Sequence, residues 1–349
     1  MGNTSIGCDN GHYGIKLYGG LCSQSGKEKC FTIESRCRIG ASSKTAFGQA
    51  KTDTMSEREF LLETDGRQFT TGSLQSEITT FAEYPHSALN RVLVHSAMHQ
   101  AGYSGQSVEL VAGLPFGQYY SSRYESGINV QLVEGMQDNL QKPVRMLNEG
   151  FEEIKVVGCS TMPEGMAAWF SFIMSEVLEG GKIKPKSNLE RMEQATTFID
   201  IGGQTTEVVT VIGKEIQKDY SSSLPYGSHR VLEDVRRYVL QNSDTCSSIS
   251  DTKLKQGIKN GSLTISGQKF DLTPVLLESR LKLVDKIRAE AGSLLSGISG
   301  DIDNLNLIGG TSIDLYEFGF KGWMGAQLLE DALFSNAKGM YIFKKYLAG

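Results

Sequence analysis

Thr196-Thr-Phe-Ile-Asp-Ile-Gly-Gly-Gln-Thr-Thr-Glu-Val-Val-Thr-Val-Ile212 reads as two apolar strands joined by a glycine turn. Thr196 to Ile201 is β-branched and apolar, as a buried strand is, and carries Asp200 at its end. Gly202-Gly203 supplies the turn, and Val208, Val209 and Val211 mark the returning strand. Glycine at such a turn lets backbone N–H groups face an anion, and the neighbouring hydroxyls add donors. The N-terminus repeats the layout: Thr4 to Asp9 is a strand, Asp9-Asn-Gly-His-Tyr-Gly14 a glycine-bearing turn, and Ile15-Lys-Leu-Tyr18 the return. Leu305-Asn-Leu-Ile308 runs into a third glycine turn, Gly309-Gly310-Thr311-Ser312. One such turn is ordinary, but three in this order point to an internal duplication and to a clamp for a polyphosphate. Asp9 and Asp200 carry the charge that a hydrated Mg²⁺ needs, since magnesium keeps most of its waters and accepts one or two carboxylates. Lys16, on the strand leaving the first turn, is placed to neutralise phosphate.

The rest of the chain alternates strands and helices, which argues for an α/β fold. Asp65-Gly66 marks a hairpin, and Gly40 to Glu57 is a polar stretch expected to be a surface loop. His86 to Gln100 has apolar residues at helical spacing, Val108 to Ala112 is a buried strand, and Ile154 to Val157 is another. Pro163 is expected to open an apolar helix that runs to Leu178 and stops at Gly180-Gly181. The polar stretch Lys182 to Glu193 then suits a lobe boundary. Helices follow over Tyr226 to Gln241, Thr273 to Leu295 and the C-terminus.

Composition narrows the function. A length of 349 residues favours two lobes, and 39% hydrophobic with 21% charged residues fits an ordinary globular protein. The net charge of −5 lacks the basic footprint of direct nucleic-acid binding. No two of the six cysteines form a Cys-x-x-Cys pair, no secretory leader pattern opens Met1 to Asn10, and no run is apolar enough for a membrane span, so a cytoplasmic location with no membrane contact is expected. A P-loop is excluded, because the nearest approach, Ser25-Gly-Lys-Glu28, lacks both the first glycine and the hydroxyl. His95-x-x-x-His99 has zinc-pair spacing without the glutamate of a His-Glu-x-x-His site, and a core helix is its plainer reading.

Together the motifs resemble the actin, Hsp70 and sugar-kinase superfamily: a phosphate-1 loop at Asp9-x-Gly11 with Lys16, a phosphate-2 loop at Asp200 to Thr206, and an adenosine loop at Ile308 to Ile313. Within it, Leu110-Val-Ala-Gly-Leu-Pro-Phe-Gly-Gln-Tyr-Tyr120, Met162-Pro-Glu-Gly165 and Lys338-Gly-Met-Tyr-Ile342 are similar to segments of the ParM-type bacterial actins that segregate plasmids. His12-Tyr13 and Thr311 depart from the family's usual small residues and third glycine. The resemblance implies an actin-like two-lobed fold, each lobe a mixed β-sheet flanked by helices, with nucleotide in the cleft between them. Lobe I would span 1–180 and regain the C-terminal helix 325–349; lobe II would span 181–324. It also implies an ATPase that assembles head-to-tail into filaments with Mg²⁺ and ATP, GTP being the alternative, and moves plasmid DNA through a small DNA-binding adaptor. A non-polymerising ATPase or small-molecule kinase of the same fold is the competing reading. Glu164, with Asp9 and Asp200, would serve hydrolysis; Asp9, Asn10, Gly11, Lys16, Asp200, Gly202, Gly203, Gln204, Thr205, Gly227, Gly309, Gly310 and Thr311 would hold nucleotide; and Asp9 and Asp200 would hold Mg²⁺ through water.

Overall fold

The computed structural model describes residues 3–41, 59–72, 76–77 and 79–348. Most of the polar stretch Gly40 to Glu57 lies outside them. The chain divides into two compact units, the first comprising Met1–Glu193 and Phe334–Gly349, the second Gln194–Leu333. This boundary falls later than the expected 180/181 and 324/325. The reason is local: Lys182–Ser187 is a strand paired with Met174–Glu179 in one hairpin, and Arg191 donates to the Phe172 carbonyl at 2.9 Å, so the polar stretch is fastened to the first unit.

In the first unit a five-stranded sheet runs in the order Glu28–Glu34, Gly14–Leu21, Thr4–Asn10, Ser107–Leu114, Lys155–Pro163. The first three strands are antiparallel and the last two parallel to Thr4–Asn10. Ile6 and Cys8, alternating toward one face, pack with Val92, Leu93 and Ala97 of the helix Ala88–Gln100. That helix starts where Ser87 Oγ accepts the Asn90 N–H at 3.2 Å. A second sheet contains the hairpin Phe60–Thr64 and Arg67–Thr71, whose two-residue turn puts Asp65 and Gly66 at φ of 51° and 69°. The terminal helix Ser335–Ile342 is buried at all eight positions. Its backbone approaches so closely that a Cβ on Gly7 would lie 1.9 Å from the Ala337 carbonyl oxygen, and one on Gly339 would lie 1.6 Å from that of Ala167.

The second unit repeats the opening motif. Thr196–Ile201 pairs antiparallel with Thr206–Ile212 and parallel with Asn304–Ile308, in a six-stranded sheet flanked by the helices His229–Gln241 and Thr273–Leu295. The duplication read from the sequence is therefore a duplication of sheet topology.

One expected element is corrected. Pro163 ends a strand, Lys155–Pro163, and the helix occupies only Met166–Ile173 before Met174–Glu179 turns into a strand. Gly180 and Gly181, at φ of 58° and 75°, form the turn of that strand's hairpin and are not a helix stop.

Candidate functional site

In both units the residues singled out from the sequence lie at the carboxyl ends of central strands, where open α/β sheets bind their ligands. In the first unit Asp9 is buried and stands directly across the hairpin from Lys16, whose Nζ donates to Asp9 Oδ2 at 2.7 Å. Asn10 turns inward. Its Nδ2 donates to Asn90 Oδ1 at 3.3 Å, while its Oδ1 is buried with no hydrogen-bond partner among the described residues. Gly11 has no positive φ; what it provides is room, because a Cβ there would sit 3.2 Å from the Gly14 carbonyl oxygen. Ser35 Oγ holds the Gly11 carbonyl at 2.7 Å and Thr79 Oγ1 holds that of His12 at 2.8 Å, so the turn's carbonyls are tied down from behind. Burial lowers the His12 pKa and favours a neutral ring, which lies 4.8 Å from that of Tyr84.

Glu164 follows the strand Lys155–Pro163. Its N–H donates to the Leu114 carbonyl at 2.9 Å, which bridges two adjacent parallel strand ends. Helix Met166–Ile173 begins two residues later, with Gly165 as its cap, so Glu164 precedes the cap and lies outside the helix's first turn.

The second unit builds a tighter cradle. The Gly202 N–H closes the turn onto the Thr205 carbonyl at 2.9 Å, with Gln204 and Thr205 half-buried on it. Ser228 and His229 N–H groups donate to the carbonyls of Gly202 and Gly203, at 3.2 and 2.9 Å. His229 Nδ1 lies 3.1 Å from the same Gly203 oxygen, so it is the protonated ring nitrogen, and burial holds the pKa of this histidine down. Gly227 has no space for a side chain: a Cβ would lie 2.5 Å from the Gly203 carbonyl oxygen. The third turn closes over the second. Gly309, at φ of 87°, would drive a Cβ to 2.2 Å from Asp200 Oδ1, and Thr311 Oγ1 donates to the Gly202 carbonyl at 3.0 Å. Gly310 starts the helix Gly310–Leu315. Asp200, Gly202, Gly203, Gln204, Thr205, Gly227, Gly309, Gly310 and Thr311 are thus brought together within this unit, and Asp9, Asn10, Gly11 and Lys16 within the first.

Sequence reading passed over three residues here. Glu207 is buried, sits directly across the hairpin from Asp200 and accepts a hydrogen bond from Ser223. Paired strand residues share a face, so two carboxylates are crowded at this strand end; counting back through the Gly202-Gly203 turn finds it. Gly113 and Asn336, next to Glu164 and its helix, have no local signal.

Among the described residues no three His, Cys, Asp or Glu side chains gather as a direct metal cage. The unpartnered Asn10 Oδ1 is an acceptor that a bound water or ligand donor can satisfy. His95 and His99 are core residues, each 1% exposed.

The sequence matches the family model for the N-terminal part of plasmid segregation protein ParM over residues 6–175, and that for the C-terminal part of the archaeal, MreB-like actin homologue over residues 198–318. The chain belongs to the ParM-like actin homologues. Curated protein sequences yield no match to it. Among solved structures, this actin homologue is similar to a ParM protomer in a 15-stranded filament from Clostridium botulinum, with a TM-score of 0.77 and 18% identity over 99% of both chains. It is similar to a non-polymerisable quadruple mutant of pCBH ParM, with a TM-score of 0.74 and 19% identity over 99% of both chains. An archaeal actin homologue in complex with ADP matches 97% of this chain and 98% of its own, with a TM-score of 0.67 and 17% identity. These likenesses establish the actin-like fold. No helix among the described residues is long and apolar enough to cross a membrane.

Proposed function

We propose that this actin homologue binds a Mg²⁺-nucleoside triphosphate, hydrolyses it, and assembles head-to-tail into filaments while the triphosphate is bound. The observation that carries the reading is the shared placement of three glycine turns and two buried aspartates, Asp9 and Asp200, at the carboxyl ends of central strands. Backbone N–H groups of the turns at Gly11 and at Gly202 to Thr205, with Lys16, would hold the phosphates. The Gly309 to Thr311 turn and Gly227 would line the nucleoside. When bound, Mg²⁺ supplies charge neutralisation for phosphate oxygens, with Asp9 and Asp200 holding its waters. Glu164 would orient the water that attacks the γ-phosphate and accept its proton. A heterologous contact that does not close gives an open helical filament, and hydrolysis would then weaken it. The ParM match over residues 6–175 supports plasmid DNA as the cargo. The net charge of −5 favours an adaptor over direct DNA contact.

Light scattering and pelleting with Mg-ATP, Mg-GTP or no nucleotide, beside Glu164→Ala, test the reading. Scattering should rise only with nucleotide and decay as phosphate appears, and Glu164→Ala should assemble and persist. Hydrolysis with no assembly across a wide concentration range would replace the filament reading with a non-polymerising ATPase or kinase.

A further inference from the structure

Glu164 is held from a direction that its own segment does not supply. The next peptide, the Gly165 N–H, donates at 3.0 Å to Oδ1 of Asn336, a residue 4% exposed on the terminal helix Ser335–Ile342. Gly165 itself caps the helix Met166–Ile173 at φ of 78°, so the backbone bends sharply just after the carboxylate-bearing residue. The Glu164 side chain then lies over Gly113, on the neighbouring parallel strand Ser107–Leu114: a Cβ at Gly113 would be 3.0 Å from Glu164 Oε1 and 3.2 Å from its Cγ. Met340, one helical turn beyond Asn336, closes the other side of the same space, its Cε 2.7 Å from that Cβ position. Three contacts therefore define where the carboxylate stands: the Leu114 carbonyl on its own N–H, Asn336 on the following N–H, and the bare Gly113 backbone beneath its stem.

We propose that Gly113 and Asn336 are positioning residues for the Glu164 carboxylate, so that the terminal helix sets the geometry of hydrolysis. This rests on the reading of Glu164 as the group that orients the attacking water. Gly113 leaves the carboxylate room to lie flat on the strand end, and Asn336 fixes the peptide that would otherwise let it swing. A water-orienting group displaced by about 1 Å costs ~100-fold in rate while leaving ground-state binding of the nucleotide intact.

The test is single-turnover hydrolysis together with nucleotide affinity for Gly113→Ala, Gly113→Ala/Met340→Ala, Asn336→Leu and Asn336→Asp. The groups that a Cβ at Gly113 would meet are the flexible ends of two side chains, so Gly113→Ala should fold with the carboxylate pushed aside. Its hydrolysis rate should fall by ~100-fold with nucleotide affinity unchanged. The double variant relieves only the Met340 contact and should stay slow. Asn336→Leu should be slow too, whereas Asn336→Asp, which keeps an acceptor for the Gly165 N–H, should recover most of the rate. Full recovery in Gly113→Ala/Met340→Ala would overturn the proposal, because the defect would then be one of packing against Met340. Equal loss of rate and affinity in Gly113→Ala would overturn it as well. Glu164→Ala separates the two levels: at full rate it removes the catalytic reading itself, while an inactive Glu164→Ala beside full-rate Gly113→Ala and Asn336→Leu removes only the positioning.

Discussion

Glycine's lack of a side chain has different meanings along this chain, and only contacts distinguish them. At Gly227 the neighbours of an added Cβ are backbone atoms: the Gly203 oxygen at 2.5 Å, the Gly203 carbon at 2.6 Å and the Gln204 carbon at 2.8 Å. Backbone cannot rotate away, so Gly227→Ala should displace the Gly202 to Thr205 turn at a cost of ~1–3 kcal/mol. Gly300 has nothing within 4 Å, and Gly300→Ala should be silent. Thermal melts with and without nucleotide check both: Gly227→Ala should lower the melting temperature and abolish the nucleotide-induced rise, and a Gly227→Ala protein that nucleotide still stabilises fully would contradict the cradle. Asp9, Asp200 and the glycine turns were legible because each interrupts an apolar strand, a local signal. Gly113 and Asn336 were not, since their roles depend on contacts between residues far apart in the chain, such as the Gly165 to Asn336 bond. Asn10 was read as a ligand residue, yet its Nδ2 is committed to Asn90 within the unit.

Elements were read correctly where burial and period agreed and misread where a charge lay inside. Thr273–Leu295 matches its expected bounds, while Met174–Glu179 is a strand where the helix is expected to run on to Leu178. The misleading residue is Glu176: its side chain is fully buried and accepts from the Leu21 N–H at 2.8 Å, Lys345 Nζ at 2.8 Å and Tyr341 Oη at 3.0 Å. A buried glutamate hides the in-out alternation of a strand. The helix Ala88–Gln100 carries the opposite case, with two buried bases. Burial, joined by His99 and opposed by the Leu140 backbone, pulls the His95 pKa down to about 3, and burial pulls that of His99 down to about 4. Both are below the ordinary histidine value near 6.5, so unfolding takes up protons below that pH. Their contribution is fully present above pH 6.5 and falls by ~1.4 kcal/mol per pH unit for each histidine as pH drops toward 4. Denaturant melts between pH 7.5 and 5.5 should show this slope, and His95→Leu/His99→Leu should flatten it. An unchanged slope in the double variant would assign the acid sensitivity to other groups.

At the scale of the whole molecule, the decisive fact is that the first unit is discontinuous and the second is not. Phe334–Gly349 returns to the first unit after the whole of Gln194–Leu333 has been built. What returns is central. Met340 and Ile342 are fully buried, each contributing ~1.5–3 kcal/mol by burial, and Lys338 pairs with Glu28 at 2.5 Å. Those two side chains alone are a large share of a typical domain stability of ~5–15 kcal/mol, and all eight positions of the helix are buried, so its loss should unfold the first unit. A chain ending at Leu333 should therefore lose the first unit and keep the second, whose segment is continuous and carries its own sheet and helices. Hydrogen exchange distinguishes the outcomes residue by residue. Amides of Thr4–Asn10 and Ser107–Leu114 should exchange within the dead time, while those of Thr196–Ile201 and Asn304–Ile308 stay protected. Equal protection in both sets would mean that the terminal helix is dispensable, and equal loss would mean that the second unit cannot fold alone. The expected split also places the positioning of Glu164 late in folding: the carboxylate's support through Asn336 forms only when the last residues dock, so the hydrolytic geometry is completed by the final segment of the chain.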